Sequence, residues 1–282
     1  MSREFKNVLV ALVSQDKAVD NPTAALTMGL ALARMASAFV TVNYLSPRPD
    51  RTPFSLFSDD MAEVIAKEGA GLDASAHACL AAATVAADAA DVPSSTEVLA
   101  LEFIALVHRS SQLAQMQDVV VMDARSGALE GYSEFIQGML FRSGRPVVLV
   151  PEGWRQGVPR TVSIAWDGSV QATRAVTEAL PILQNAAKVD LVSVTDEKNV
   201  VDASLRGRLN VYLDRHGVQA SEVTLTTRGG KAADALCHHV ASSGSEMIVM
   251  GAYGHSRIRE FVLGGVTRSL LGSSPVPLFL CH

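Results

Sequence analysis

Hydrophobic and polar positions along the chain fall into two alternating rhythms. Short runs rich in β-branched residues, "NVLVALV", "AFVTVNYL", "STEVLAL", "QDVVVMD" and "RPVVLVPE", are separated by longer stretches whose apolar residues return at helical spacing. After "GWRQGVPR" the same order comes back as "RTVSIAWD", "KVDLVSVT", "SEVTLTT", "EMIVMGA" and "VPLFLCH". The pattern predicts a duplicated five-strand unit. Parallel neighbours need a helix-length return path, so strand–helix alternation predicts parallel sheets with right-handed crossovers. The expected architecture is α/β, with two doubly wound domains over residues 1–152 and 160–282 and a linker at Gly153–Arg160. An open apolar sheet edge invites aggregation, so the closing strands "RPVVLVPE" and "VPLFLCH" are expected to pair or pack against each other as an intramolecular pseudo-dimer.

Composition narrows the function classes. The 282 residues are 48% hydrophobic and 5% aromatic, with a net charge of -5 spread without long runs. Such a chain can bury a sizeable core but offers no basic footprint for nucleic acid and no polybasic membrane anchor. The N-terminal apolar run is too short for the core of a signal peptide, and His77, Thr84 and Asp88 interrupt the Ala-rich segment from Ala74 to Ala90. Cys79, Cys237 and Cys281 are scattered, without metal or disulfide spacing, which fits reduced cytoplasm. One irregular stretch, residues 46–59, carries Phe54, Leu56 and Phe57 among prolines; it reads as a loop packing on its own domain or as a partner-docking loop.

Candidate chemistry gathers in "MIVMGAYGHSRIREFVLGGVTRSLL", residues 247–271, where Gly251, Gly254, Gly264 and Gly265 follow a strand and are interleaved with His255, Arg257 and Arg259. Ligands of open parallel sheets sit beyond the carboxyl ends of the strands, where helix N-termini present unpaired N–H groups. The loop lies at such an end. So does Asp167 in "IAWDGS", able to accept hydrogen bonds from a base or a ribose, and Val194 closes the second strand of the same unit. On spacing alone the glycines serve equally well as plain turns. They lack the Gly-Lys-Ser/Thr ending of a Walker loop and follow the fourth strand, not the first, so a dinucleotide fingerprint fails as well.

The segment "GAYGHSRIREFVLGGVT" resembles the G-x-x-G-(nine residues)-G-(Ser/Thr) motif of the universal stress protein family, with Gly251, Gly254 and Gly264 in register. The resemblance extends over the chain as a tandem pair of such domains, weaker in residues 1–152. It implies five-stranded parallel sheets of order 3-2-1-4-5, the adenine nucleotide alpha hydrolase-like fold, and in the nucleotide-binding branch a bound ATP, with or without Mg²⁺, or another adenine nucleotide. Carried over by position, Ala165, Asp167 and Val194 resemble the residues around base and ribose. Met250, Gly251, Gly254, His255, Gly264, Gly265, Val266 and Thr267 resemble the loop around ribose and phosphates. Gly265 departs from the motif, because the family has a hydroxyl residue directly after the third glycine; Thr267 is the substitute. Gly251→Asp is expected to keep the fold and lose the ligand. The family also implies a regulatory role, with a homodimer as a further assembly and slow ATP hydrolysis or phosphotransfer, or a ligand-free scaffold, as the alternatives.

The first unit departs further. Aligning Met122 with Met250 puts Asp123 where Gly251 stands, and "ALVSQDK" has no acid directly at its strand end, so this unit is expected to be a degenerate partner without an intact site. Ser14, His108 and Asp123 form no hydrolase triad in the absence of a G-x-S-x-G elbow. The adjacent His238 and His239 point about 100° apart on a helix and suit surface or cap roles better than a shared metal. Lys231 reads as a solvated helix-start residue.

Overall fold

A computed structural model describes residues 4–13, 23–48, 59–124, 132–195, 203–227, 229–252 and 265–282. The first half contains β1 (Asn7–Val13), α1 (Ala24–Ala36), β2 (Phe39–Arg48), α2 (Asp59–Ala89), β3 (Ser94–Glu102), α3 (Phe103–Ala114), β4 (Val119–Ala124), α4 (Tyr132–Arg142) and β5 (Val147–Pro151). The second half repeats the order with β6 (Thr161–Ala165), α5 (Val170–Asn185), β7 (Lys188–Thr195), α6 (Ala203–Arg215) and β8 (Ala220–Thr226). It closes with α7 (Ala232–Ser243), β9 (Met247–Gly251), α8 (Gly265–Ser273) and β10 (Leu278–Cys281). Every strand read from the sequence is present, displaced by at most a few residues at its ends. Residues 49–58, the body of the irregular stretch, lie outside the described residues.

Each half has the expected strand order, and the two halves join into one ten-stranded sheet, β3-β2-β1-β4-β5-β10-β9-β6-β7-β8. All pairings are parallel except the central one, where β10 runs antiparallel to β5 with Phe279 opposite Val148. The closing strands therefore cover each other's edge, as their apolar sequences require. Covering both faces of these strands with helices explains their unbroken apolar runs: Val147, Val148, Leu149, Val150, Leu278, Phe279 and Leu280 are all buried. Burying a side chain such as Phe279 stabilises by about 1.5–3 kcal/mol. The outer strands β3 and β8 are mostly exposed, which fits their Ser, Thr and Glu content.

Because the central pair is antiparallel, the carboxyl ends of the first half's strands and those of the second half point in opposite directions along the sheet. Two crevices, if both were used, would open on opposite edges. Side chains also hold the seam: the Arg174 guanidinium on α5 donates to the carbonyls of His282 (2.7 Å) and Gly144 (2.9 Å). Phe141 on α4 stacks edge-on against the His282 ring, with centroids 4.4 Å apart. No helix among the described residues is long and apolar enough to cross a membrane.

Candidate functional site

Strand order reverses between β6 and β9, which lie side by side while their chains leave in opposite directions toward β7 and β10. This is the place where an open parallel sheet leaves a crevice. Asp167 stands just past the end of β6, exposed, with Oδ1 accepting from the Ser169 N–H at 2.9 Å. Gly168 takes φ +79, a conformation that suits glycine, and turns the chain so that Ser169 becomes the N-cap of α5. Ser169 Oγ accepts from the Ala172 N–H at 3.1 Å, satisfying one of the helix's orphan donors. The Asp-Gly-Ser turn and a carboxylate held at the strand's carboxyl end are thus one device.

The pleat divides the predicted residues between two faces. Ala165 pairs with Met250 across β6 and β9, and with Val192 across β6 and β7, so Ala165, Met250 and Val194 share a face by the two-residue alternation. That face carries α7, because Asp190, two residues before Val192, meets His239 of α7. Gly251 follows Met250 and faces the other way, toward α5. A Cβ placed on it would stand 2.5 Å from the Ala172 amide nitrogen and 2.8 Å from Gln171 backbone and side-chain atoms. The glycine is therefore required for α5 to start against the end of β9. This corrects the expectation that Gly251→Asp would keep the fold: the carboxylate would have to displace the first turn of a helix.

Gly265 opens α8 and is exposed, with no heavy atom of the described residues within 4 Å of a Cβ built there. Val266 is half-buried, and Thr267 is buried at 4% exposure, so it packs beneath the first turn. Gly254, His255 and Gly264 lie outside the described residues. Of the predicted set, Ala165, Asp167, Val194 and Met250 stand together at the carboxyl ends of β6, β7 and β9, Gly251 turns to α5, and Gly265, Val266 and Thr267 begin α8.

Register shows what the first half has in the same places. Val8 pairs with Val119 as Val162 pairs with Met247, so Ala11, Val13, Met122 and Asp123 stand where Ala165, Asp167, Met250 and Gly251 stand. Leu45 takes the place of Val194. Asp123 turns its carboxylate onto α1, the counterpart of the helix that Gly251 admits, and Oδ1 accepts from the Ala25 N–H at 2.8 Å. Thr23 Oγ1 accepts from Leu26 N–H at 3.1 Å. Two amides at the N-terminus of α1 are thereby satisfied by the chain's own side chains, and the Tyr132 hydroxyl donates to the Asp123 carbonyl to fix the strand end.

Two features escaped sequence reasoning. His239 is not a surface or cap residue but is turned inward, its Nε2 3.3 Å from Oδ2 of Asp190, a carboxylate only 2% exposed that also meets the Lys188 ammonium at 3.0 Å. The helical spacing of "LCHHV" contained the signal, since His239 falls three residues after the buried Leu236. This cluster lies at the amino end of β7, away from the crevice, and ties α7 to the sheet. Trp166 is the second: it is buried at the end of β6, on the face toward α5 and opposite the face of Ala165, and its backbone N–H extends the ladder to the Val192 carbonyl.

Residues 159–282 match the model of the Universal stress protein family. That match spans the second half of the chain. Among solved structures, a universal stress protein from Archaeoglobus fulgidus DSM 4304 superposes with a TM-score of 0.66 at 18% identity, covering 97% of this chain and 98% of that one. A functionally unknown protein from Pseudomonas aeruginosa PAO1 gives 0.59 at 12% identity, over 98% of this chain and 92% of the other. At such identities the likeness concerns the fold, and both coverages mean that the two-unit arrangement is shared end to end. No curated protein matches the chain. The half that matches the family model carries the glycine motif, while the preceding half repeats its topology with Asp123 and Val13 at the places of Gly251 and Asp167.

Proposed function

We propose that the universal stress protein half binds one adenine nucleotide, ATP foremost, in the crevice between the ends of β6 and β9, and that the protein acts as a nucleotide-dependent regulatory module of the stress response. The observation that carries the reading is an exposed Asp167 held at the end of β6 beside the strand-order reversal, with the start of α5 brought against the end of β9 by Gly251; α8, beginning at Gly265, follows β9 in the chain. Asp167 is the acceptor for ribose or base, Ala165 and Val194 give apolar contact to the base, and the first amides of α8 face phosphate oxygens. The match of the second half to the family model supports the same assignment.

The first half is read as the partner that keeps no nucleotide. At the place of Asp167 it carries Val13, so the acceptor for ribose or base is missing, and where the second half has Gly251 it carries Asp123, a negative charge at the strand end that disfavours a polyanion where charges are poorly screened. Mass spectrometry of small molecules released by denaturing freshly purified protein tests the reading. An adenine nucleotide near one equivalent per chain is expected; protein that releases none and gains no thermal stability from added ATP would refute it.

A further inference from the structure

The seam between the halves contains a pocket whose pseudo-symmetric counterpart is filled by a phenyl ring. The two halves superimpose through their closing strands, since Val120 pairs with Val147 as Ile248 pairs with Leu278. The turns before those strands agree in detail: Ser143 Oγ accepts from Arg145 N–H at 3.1 Å, and Ser274 Oγ accepts from Val276 N–H at 3.4 Å. Counting back from the paired serines, Phe141 of α4 corresponds to Gly272 of α8, and counting forward, His282 corresponds to Pro151. In the first of these places Phe141 stacks on His282. In the second, Gly272 has no side chain, nothing lies within 4 Å of a Cβ built on it, and a pocket of about 200 Å³ opens.

Leu149, Pro151, Leu270 and Leu278 line that pocket together with Gly272, and Glu152 is the acid among its lining residues. Leu149, Leu270 and Leu278 are at most 1% exposed and form rigid core beneath the pocket, while Pro151, Glu152, Leu271, Gly272 and Ser274 give it its accessible wall. An apolar cavity of about 150 Å³ already holds a benzene ring. We infer that this seam pocket is a binding site for a single-ring aromatic molecule that carries a cationic or hydrogen-bond-donating group, the ring seated where Phe141 sits in the other half and the donor directed to the Glu152 carboxylate. The site is distinct from the nucleotide crevice, being built from β5, β10 and the last turn of α8, whose first turn is the part assigned to the nucleotide.

The test is a ligand-observed NMR titration of the full chain with benzylamine and with benzoate. Saturable binding of benzylamine is expected in the millimolar range, about two- to fivefold tighter than benzoate because Glu152 is solvent-facing and the charge effect correspondingly small. Gly272→Phe supplies the missing ring from the chain itself and should weaken benzylamine at least tenfold, while Gly272→Ala leaves it unchanged. Glu152→Gln should level the two probes. Gly272→Leu fills the same space and replaces Gly272→Phe if that variant does not fold. Wild-type protein that shows no saturable benzylamine binding, or a filled variant that binds as well as wild type, overturns the assignment.

Discussion

Gly251 and Gly265 belong to one sequence motif, yet the structure gives them opposite energetic signs. Gly251→Ala adds a methyl 2.5 Å from the Ala172 nitrogen, about 0.9 Å inside the 3.4–4 Å range of ordinary contact. The opposing atoms are backbone of the first turns of α5, and that turn is pinned by the Ser169 cap. Retreat of β9 is resisted as well, because the Ala252 N–H donates to the Cys281 carbonyl at 2.7 Å. Overpacking against unyielding neighbours costs about 1–3 kcal/mol. At about 2–4 °C per kcal/mol for a chain of this order of size, the Tm should fall by about 2–12 °C. Gly265→Ala meets open space and should gain about 0.4–1 kcal/mol by restricting the unfolded chain, raising Tm by about 1–4 °C. Scanning calorimetry of both variants without nucleotide decides. A Gly251→Ala protein as stable as wild type, or shifts of the same sign in both variants, would refute the assignment of Gly251 to helix packing.

Asp123→Ala removes the acceptor of the Ala25 N–H and should lower stability by about 0.5–2 kcal/mol, read as a shifted urea midpoint, with Asp123→Asn losing less because it keeps an oxygen at that place. The Cys79 thiol is pushed up, first by burial and then by the Asp123 charge, so its alkylation by iodoacetamide at pH 8 should be slower than in urea-unfolded chain and faster again in Asp123→Asn. Since the fold favours the neutral thiol, this contribution to stability is complete below the ordinary thiol range and is lost as pH rises through the higher folded value. Equal alkylation rates in folded and unfolded protein would contradict the burial of Cys79.

Much of the fold was legible because burial on two faces writes itself as unbroken apolar runs, and five of these recur in the same order. The pairing of "RPVVLVPE" with "VPLFLCH" followed from the hazard of an open edge, and the antiparallel β5–β10 ladder meets it. Aligning Met122 with Met250 placed Asp123 opposite Gly251, and the β1–β4 and β6–β9 registers agree. What the sequence hid was direction. Alternation along β9 turns Gly251 toward α5 and away from the face of Met250, so a glycine read as making room for a ligand makes room for a helix. The inward turn of His239 was hidden for the same reason: adjacent histidines look alike until the packing of α7 assigns one of them to the sheet.

The central claim, one adenine nucleotide per chain held by the second half, is tested most directly by calorimetric titration of ATP into wild-type protein and into Gly265→Asp. Gly265→Asp is preferred to Gly251→Asp because its Cβ meets no atom of the described residues and an acid in the first turn suits the helix, contributing about 0.3–1 kcal/mol, and the Tm of the variant separates lost binding from a broken fold. The predicted result is a single site per wild-type chain, no measurable binding by Gly265→Asp, and a Tm for that variant at or above wild type. Two equivalent sites per chain, or undiminished binding by Gly265→Asp, would contradict it.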